Sequence, residues 1–341
     1  SALHSRTERQ PADRQQRRFR VQRGAFRITR TRDTGSALTV LFSIGGAASP
    51  GSDYQPLVNS LTLPAGVASA DVAVNPIDDS VGEGEPESVV LTFVPDLAYT
   101  VGLPDSAEIT IASDDPVPCA APPSGLAGWW PLDGHPVDLI SGATASFFGS
   151  PAFASAKVER GLVFDATDDH ARVAATSELN VGTGSGLTIE LWILPNTVTA
   201  PRPLVEWNDS QGRLGAHLWI SGFVGPGDLV ANLLDSSGGN RIISSPAGQV
   251  VAGSFQHVAV TYDRSSGLAV LYRNGGRITQ ASLGAFTPQT SFDLFFGLRP
   301  SGPGSGSRFS GVMDEIGIYN RALSDAELEA IYNSSFAGKC K

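Results

Sequence analysis

Apolar residues alternate with polar or small ones over short runs along most of this chain, and the period lengthens at one place near its end. Over 312–319, Val312, Ile316 and Ile318 stand against Asp314, Glu315 and Gly317, as in a strand with one buried face. Beyond it the spacing turns helical. Ser324 and Glu327 have the separation of a capping box, and Leu323, Leu328, Ile331 and Tyr332 recur at helical intervals. A strand running into a short amphipathic helix is predicted to close a domain. Cys340 lies just past that helix, and Cys119 is its one possible partner.

Upstream the pattern is that of strands alone. Runs at 26–31, 37–44, 67–74, 88–93 and 106–111 are separated by Gly, Pro, Asp and Asn at sandwich spacing, so 24–115 reads as one small β-sandwich. Four prolines within 116–124 forbid a central strand and predict a stiff linker. From 125 to 341 come further strands at 161–165, 187–194, 202–207, 215–220, 228–234, 256–262 and 268–273. Asn274-Gly275 after the last is a hairpin signal. So many evenly spaced strands in one unit predict a two-sheet jelly roll, and the chain as a whole is all-β.

Composition sharpens this picture. The 341 residues include 38 Gly and 23 Pro, as expected of many strands joined by turns. Two cysteines able to clip distant points indicate an oxidising, extracellular setting, and a Cys119–Cys340 bridge is expected. The net charge of −10 hides an asymmetry, because ten arginines lie within the first 32 residues against only Glu8 and Asp13. The remaining body is therefore strongly acidic. That disfavours nucleic acid as a partner and suits a hard cation such as Ca²⁺. Residues 1–23 lack the aliphatic side chains that would offset the entropy of ordering, so they read as an unstructured leader. No apolar run approaches membrane-spanning length, and residue 1 is Ser, so the expectation is a segment of a larger secreted or surface-displayed bacterial protein.

Carboxylates in the first domain fall at strand ends and connections: Asp53 in a Gly-Ser-Asp-Tyr turn, Asp78 and Asp79 followed by Glu83, Glu85 and Glu87, and Asp114-Asp115. Three such clusters in one small domain imply a shared pole that repels itself unless a cation neutralises it. With the Pro64-Ala65-Gly66 turn, these features resemble the Calx-β domain over 24–115, although Arg-rich sequence stands where that family has its first strand. The resemblance implies Ca²⁺ ligation by Asp53, Asp78, Asp79, Glu83, Glu87, Asp114 and Asp115.

The second domain resembles the LamG-like, concanavalin A-like lectin/glucanase jelly roll over essentially all of 125–340. The resemblance rests on the stretches 125–130, 161–165, 188–192, 256–263, 272–275 and 313–324, in that order. It implies a structural Ca²⁺ near the meeting of the first and last strands, with Asp133, Asp138 and Asp314 as candidate ligands.

The same fold carries glycan-cleaving enzymes, which need carboxylates that face the sugar from one side. The strand over 187–194 supplies only Glu190, and the adjacent Asp314 and Glu315 are expected on opposite faces of theirs. His4, His135, His170, His217 and His257 show neither zinc spacing nor an adjacent nucleophile, and His257 reads as a hydrogen-bonded core residue. No catalytic constellation is recognised. Trp207, Trp219 and Phe223 fall where such a fold builds its concave sheet, and exposed aromatic faces stack on sugar rings. The expected function is that of a non-catalytic extracellular binding or adhesion segment with calcium-stabilised β domains, binding matrix or the glycans of polysaccharides or glycoproteins. An enzyme of the same fold with an unrecognised site, or a structural spacer, are the other classes left open.

Overall fold

The computed structural model describes residues 24–31, 33–78, 86–112 and 116–341, which fall into two compact units, 1–116 and 117–341. The expected Arg-rich leader at 1–23 lies outside the described residues.

In the first unit six strands follow the alternation of the sequence: β1 (Gly24–Thr29), β2 (Leu38–Gly45), β3 (Ser60–Leu63), β4 (Ser69–Val74), β5 (Glu87–Phe93) and β6 (Ser106–Ile111). β1 and β4 pair as one sheet and β3-β2-β5-β6 form the other, all antiparallel. Every second residue points inward, so Phe26, Ile28, Val40, Phe42, Val72, Val74, Val89 and Leu91 fill the space between the sheets. The Tyr99 hydroxyl donates to the Val94 carbonyl at 2.5 Å and accepts from the Leu41 N–H at 3.0 Å, pinning the β5–β6 connection to β2.

The second unit continues with β7 (Leu126–Trp130), β8 (Ser146–Phe148), β9 (Ala152–Ser155), β10 (Arg160–Asp165), β11 (His170–Val173), β12 (Gly186–Pro195), β13 (Arg202–Asn208), β14 (Leu214–Ile220), β15 (Leu229–Asn232), β16 (Ile242–Ser244), β17 (Gln256–Asp263), β18 (Leu268–Arg273), β19 (Gly276–Ser282), β20 (Asp293–Phe296) and β21 (Ser310–Tyr319). One helix, α1 (Asp325–Asn333), follows. An eight-stranded sheet runs β19-β18-β17-β12-β21-β10-β9 with β7 also on β21, and a seven-stranded sheet runs β16-β15-β14-β13-β20-β11-β8. Their inner faces meet in one continuous core that includes Trp130, Phe164, Trp207, Leu218, Tyr262, Phe296 and Ile316. This is a two-sheet jelly roll of the concanavalin A-like kind.

Three features depart from the sequence expectation. Residues from Val117 belong to the second unit, because Ala120 pairs with the C-terminal tail through Ala120 N–H to Gly338 O and Cys340 N–H to Ala120 O, both 2.8 Å. Second, β21 is buried on both faces rather than one. Its outer side lies under α1 and the tail, where Tyr319, Leu323, Leu328 and Ile331 form a second small core. Third, Glu315 adopts a φ of 55° at a bulge opposite Leu191, so the strict alternation of β21 fails there. Asp314 and Glu315 therefore both face outward, where strict alternation would have set them on opposite faces.

The C-terminal elements form as the spacing indicated. Ser324 Oγ accepts from the Glu327 N–H and the Glu327 carboxylate accepts from the Ser324 N–H, a reciprocal capping box at the start of α1. Asn274 and Gly275, at φ 50° and 75°, make the tight β18–β19 hairpin. Cys119 and Cys340 are joined, with Cα atoms 5.0 Å apart at a sequence separation of 221.

Candidate binding face and its sealed counterpart

Alternation on the seven-stranded sheet sends Ala216, Leu218 and Ile220 of β14 inward, and His217 and Trp219 outward. Register then aligns outward residues of neighbouring strands. Arg172, Phe295, Glu206, His217, Asn232 and Ile242 stand in one row across six strands. Trp219, Val230 and Ser244 stand in the next row, and at its far edge Phe148 lies flat on His170, with ring centroids 4.6 Å apart.

Arg299 organises the middle of this face. Its Nε donates to both Glu206 oxygens at 2.9 Å, its Nη2 to His217 Nε2 at 3.0 Å and its Nη1 to the Pro303 carbonyl at 2.8 Å. Its guanidinium lies 4.1 Å from the Trp219 ring centroid. Arginine only donates, so His217 Nε2 accepts, and the ring proton resides on Nδ1, which faces the Gly215 carbonyl at 2.9 Å. Glu206 also accepts from Trp219 Nε1 at 3.0 Å and Asn208 Nδ2 at 2.8 Å. Burial, with the adjacent Arg299 charge, pushes the His217 pKa down to about 3, so the ring is neutral. Burial pushes the Glu206 carboxyl above the usual carboxylate range, against the pull of Arg299.

A Gly-, Pro- and Ser-rich loop over 300–307 covers these groups. Gly302, Gly304 and Gly306 all take positive φ, which lets the backbone curl back so that Gly306 N–H reaches the Arg299 carbonyl and Arg299 N–H the Ser307 carbonyl. The side chain of Ser301 bonds Asn208 at 2.7 Å and accepts from the Gly212 N–H at 2.9 Å.

Of the three aromatic residues singled out in the sequence, Phe223 alone is a free platform. It is 66% exposed on the β14–β15 loop. The buried Asp228 carboxylate holds that loop by accepting the N–H groups of Gly222, Phe223, Val224 and Gly225. Trp219 faces outward but is covered by Arg299 and the loop, at 6% exposure. Trp207 is a correction: it lies between the sheets at 0% exposure, so no sugar can stack on it. The bulges of β13 shift its alternation and turn Trp207 inward and Glu206 outward. Sequence reasoning missed Glu206, Asn208, His217 and Arg299 because they come from three separated segments, and missed Phe148 because its strand is only three residues long.

The outer face of the eight-stranded sheet is sealed by α1 and the tail. Glu190, fully buried, bonds His257 Nε2 at 3.0 Å and Lys339 Nζ at 2.9 Å. Lys339 also reaches Glu315 Oε2 at 3.1 Å, and Trp129 Nε1 donates to that same oxygen at 3.0 Å. Burial opposes the charge on Lys339, but Glu190 and Glu315 outweigh it and hold the ammonium above its ordinary pKa. Gly317 is required beside this cluster, since a Cβ there would fall 1.9 Å from Glu190 Oε1. Burial pushes Asp314 well above the carboxylate range, and its one bonded oxygen accepts from the Val158 N–H at 2.8 Å.

The proposed calcium ligands are distributed unevenly. Asp133, Asp138 and Asp314 do not converge: the trio of carboxylates grouped within 4.8 Å among the described residues is Asp165, Asp168 and Asp169. In the first unit Asp79, Glu83, Asp114 and Asp115 lie outside the described residues. Asp53 O accepts from the Ile77 N–H at 2.9 Å, which brings Asp53 and the turn carrying Asp78 together, and Glu87 opens β5 opposite Ile111. Of these candidates, Asp53, Asp78 and Glu87 are the described ones, in the connections that follow β2 and β4 and at the start of β5.

The profile of the concanavalin A-like lectin/glucanases superfamily matches residues 165–329. No curated protein matches the sequence. Among solved structures, domain 4 of AbnA, an extracellular arabinanase from Geobacillus stearothermophilus in complex with arabinotriose, aligns at 16% identity and a TM-score of 0.48. That alignment covers 60% of this chain and 96% of the domain. The binding domain of Paraclostridial Mosquitocidal Protein 1 aligns at 18% identity and a TM-score of 0.50, covering 62% of this chain and 52% of that domain. The binding domain of botulinum neurotoxin serotype D/C aligns at 13% identity with a TM-score of 0.50 and the same coverage. The chain thus spans about half the length of the two toxin domains, and the likeness is one of fold.

Proposed function

We propose that the second unit is a non-catalytic glycan-binding module of an extracellular protein, and that its binding face is the outer face of the seven-stranded sheet. One observation carries this reading. Polar and aromatic side chains stand there in register, and rigidly mounted rings, Phe148 and Phe223, remain exposed at 41% and 66%, whereas the opposite outer face is closed by the chain's own helix and tail. The neighbouring arabinanase domain was solved with arabinotriose, and a related neurotoxin binding domain with SialylT, which supports a sugar as the ligand class. A disulfide accords with secretion or surface display, and among the described residues no helix is long and apolar enough to cross a membrane. Calcium at the acidic pole of the first unit is part of this reading, and Asp53, Asp78 and Glu87 would hold it among the described residues.

The test is a glycan array run in EDTA and in millimolar Ca²⁺, in parallel with reducing-end release from common polysaccharides. Binding that is lost on Phe148→Ala and Phe223→Ala, without release, is the expected result. Release of reducing ends overturns the non-catalytic reading and points to Glu206 and His217, which face each other on β13 and β14. Silence in both assays favours a structural spacer.

A further inference from the structure

The likeness of 125–340 to LamG-like domains implies a calcium ion where the first and last strands meet, with Asp133, Asp138 and Asp314 around it. These residues do not fit such an ion. The two Asp138 oxygens already accept from Trp129 N–H at 2.6 Å, Ile140 N–H at 2.9 Å, Ser141 N–H at 3.0 Å and Ser141 Oγ at 2.5 Å. Asp133 accepts from the Arg160 N–H at 3.0 Å and holds Lys341 Nζ at 2.5 Å. Asp314 spends one oxygen on the Val158 N–H at 2.8 Å, and the three carboxylates do not group within 4.8 Å of one another among the described residues.

We propose that the C-terminal segment Lys339-Cys340-Lys341 is a built-in cation, taking over in this domain the neutralising role that a divalent metal would have there. Two ammonium groups carry the charge of one divalent ion, and both sit on carboxylates. Lys339 Nζ bridges Glu190 and Glu315, from β12 and β21, at 2.9 and 3.1 Å. Lys341 Nζ bridges Asp133 and Glu159, from the segments that follow β7 and precede β10, at 2.5 and 3.2 Å. The Trp129 ring lies 5.2 Å from the Lys339 ammonium and adds a cation–π contact.

The backbone explains why the two lysines act together. Residues two apart in an extended segment point to the same side, and the intervening residue points to the other. Lys339 pairs with Ala120 as an extended bridge, and Cys340, turned away from the carboxylates, is tied to Cys119. The disulfide thus fixes the segment at a high effective concentration beside the four carboxylates, independent of any free ion. Control of this part of the fold passes from calcium to the redox state of one bond.

All five tryptophans, Trp129, Trp130, Trp192, Trp207 and Trp219, lie in the second unit, so tryptophan-selective fluorescence reports its unfolding in the full chain. The parent for the test carries Asp165→Asn and Asp168→Asn, which removes the exposed carboxylate trio from account. Its melting midpoint should be the same in EDTA and in millimolar Ca²⁺. Lys339→Met should lower it by on the order of 10 °C, since it strands two buried carboxylates. Adding Glu190→Gln and Glu315→Gln to Lys339→Met should restore most of the loss, a recovery that a purely steric role for Lys339 would not give. A calcium-dependent rise in the parent overturns the proposal, as does a Lys339→Met midpoint that does not move. Should Lys339→Met fail to fold, the triple variant decides: recovery of a folded domain upholds the proposal, and failure of that variant too overturns it.

Discussion

The two outer faces of this jelly roll bury charge in different ways, and the difference separates a face closed by the chain itself from the face proposed for a partner. On the eight-stranded sheet, Glu190, Glu315, His257 and Lys339 are bonded to one another under α1 and a disulfide-tied tail. On the seven-stranded sheet, Glu206, Arg299 and His217 are bonded to one another under a loop held by serine, proline and glycine contacts, with exposed aromatic rings at the rim. A buried ion pair rarely adds net stability over apolar packing, although breaking one leaves a costly orphan charge. The first face therefore depends on a covalent clasp, and the second retains its charges beneath a cover with no apolar seal.

The largest effect that distinguishes the faces is expected from the clasp. Removing the bridge in Cys119→Ser/Cys340→Ser reopens a 221-residue separation, which the chain-entropy model values at about 5 kcal/mol. Urea unfolding followed by tryptophan fluorescence should show that loss. A change within the error of extrapolation would mean that α1 and the tail stay docked without the bridge, and the sealed face would then be no more dependent on its covalent tie than the open one.

How much of this contrast the sequence discloses depends on the range of the signal. Local patterns were readable: the capping box at Ser324 and Glu327, the Asn274-Gly275 hairpin, the central strands, and a cysteine with one possible partner. What escaped was set by register. A bulge at Glu315 puts two adjacent carboxylates on one face, and bulges in β13 exchange the roles of Glu206 and Trp207. Neither is visible in alternation, since a shift of one residue reverses every side chain beyond it. The short strands β8, β11 and β20 were missed because three or four residues carry too little period, and with them went Phe148, Arg172 and Phe295 on the outer face of the seven-stranded sheet.

One buried group beneath each face, His217 and Asp314, should respond to pH with opposite sign. His217 is held down to about 3, so the unfolded chain binds its proton first; the stability it contributes is complete above about pH 6.5 and is lost as pH falls toward about 3, at about 1.4 kcal/mol per unit. From about pH 7 to about pH 5 this one group takes away about 2 kcal/mol. His170, half-buried, is also lowered by burial and adds a smaller loss of the same sign. Asp314 works the other way. Burial raises its folded pKa, so folding takes up a proton and the domain loses stability as pH rises above about 4, where the unfolded side chain ionises. His217→Gln should therefore flatten the acid limb of the profile, and Asp314→Asn the limb that falls toward neutral pH. Identical profiles for the two variants would abolish the distinction.

A smaller loss is expected at the edge of the seal. Ser324→Ala removes the side chain that accepts the Glu327 N–H and should cost about 1 kcal/mol. Because Tyr332 of α1 stacks on Trp192, with centroids 5.6 Å apart, fraying of the helix should register as a change in tryptophan emission before the global transition. Emission that changes only together with global unfolding would show that the helix has no looser substate of its own.

The smallest effect on stability should come from the residue most exposed on the proposed binding face. Phe223 is exposed at the tip of a loop whose backbone N–H groups are already satisfied by Asp228, so its ring is not needed to hold the loop in place. Phe223→Ala should change unfolding free energy by less than about 0.5 kcal/mol. Its affinity for a glycan should fall about fivefold to tenfold, the equivalent of about 1 kcal/mol of lost ring stacking. Asp228→Asn supplies the converse: the ring is kept, but the carboxylate that positions it is weakened, so affinity should fall together with stability. If Phe223→Ala destabilises the domain and leaves glycan affinity intact, the exposed rim belongs to the scaffold, and the two outer faces differ only in how they are covered.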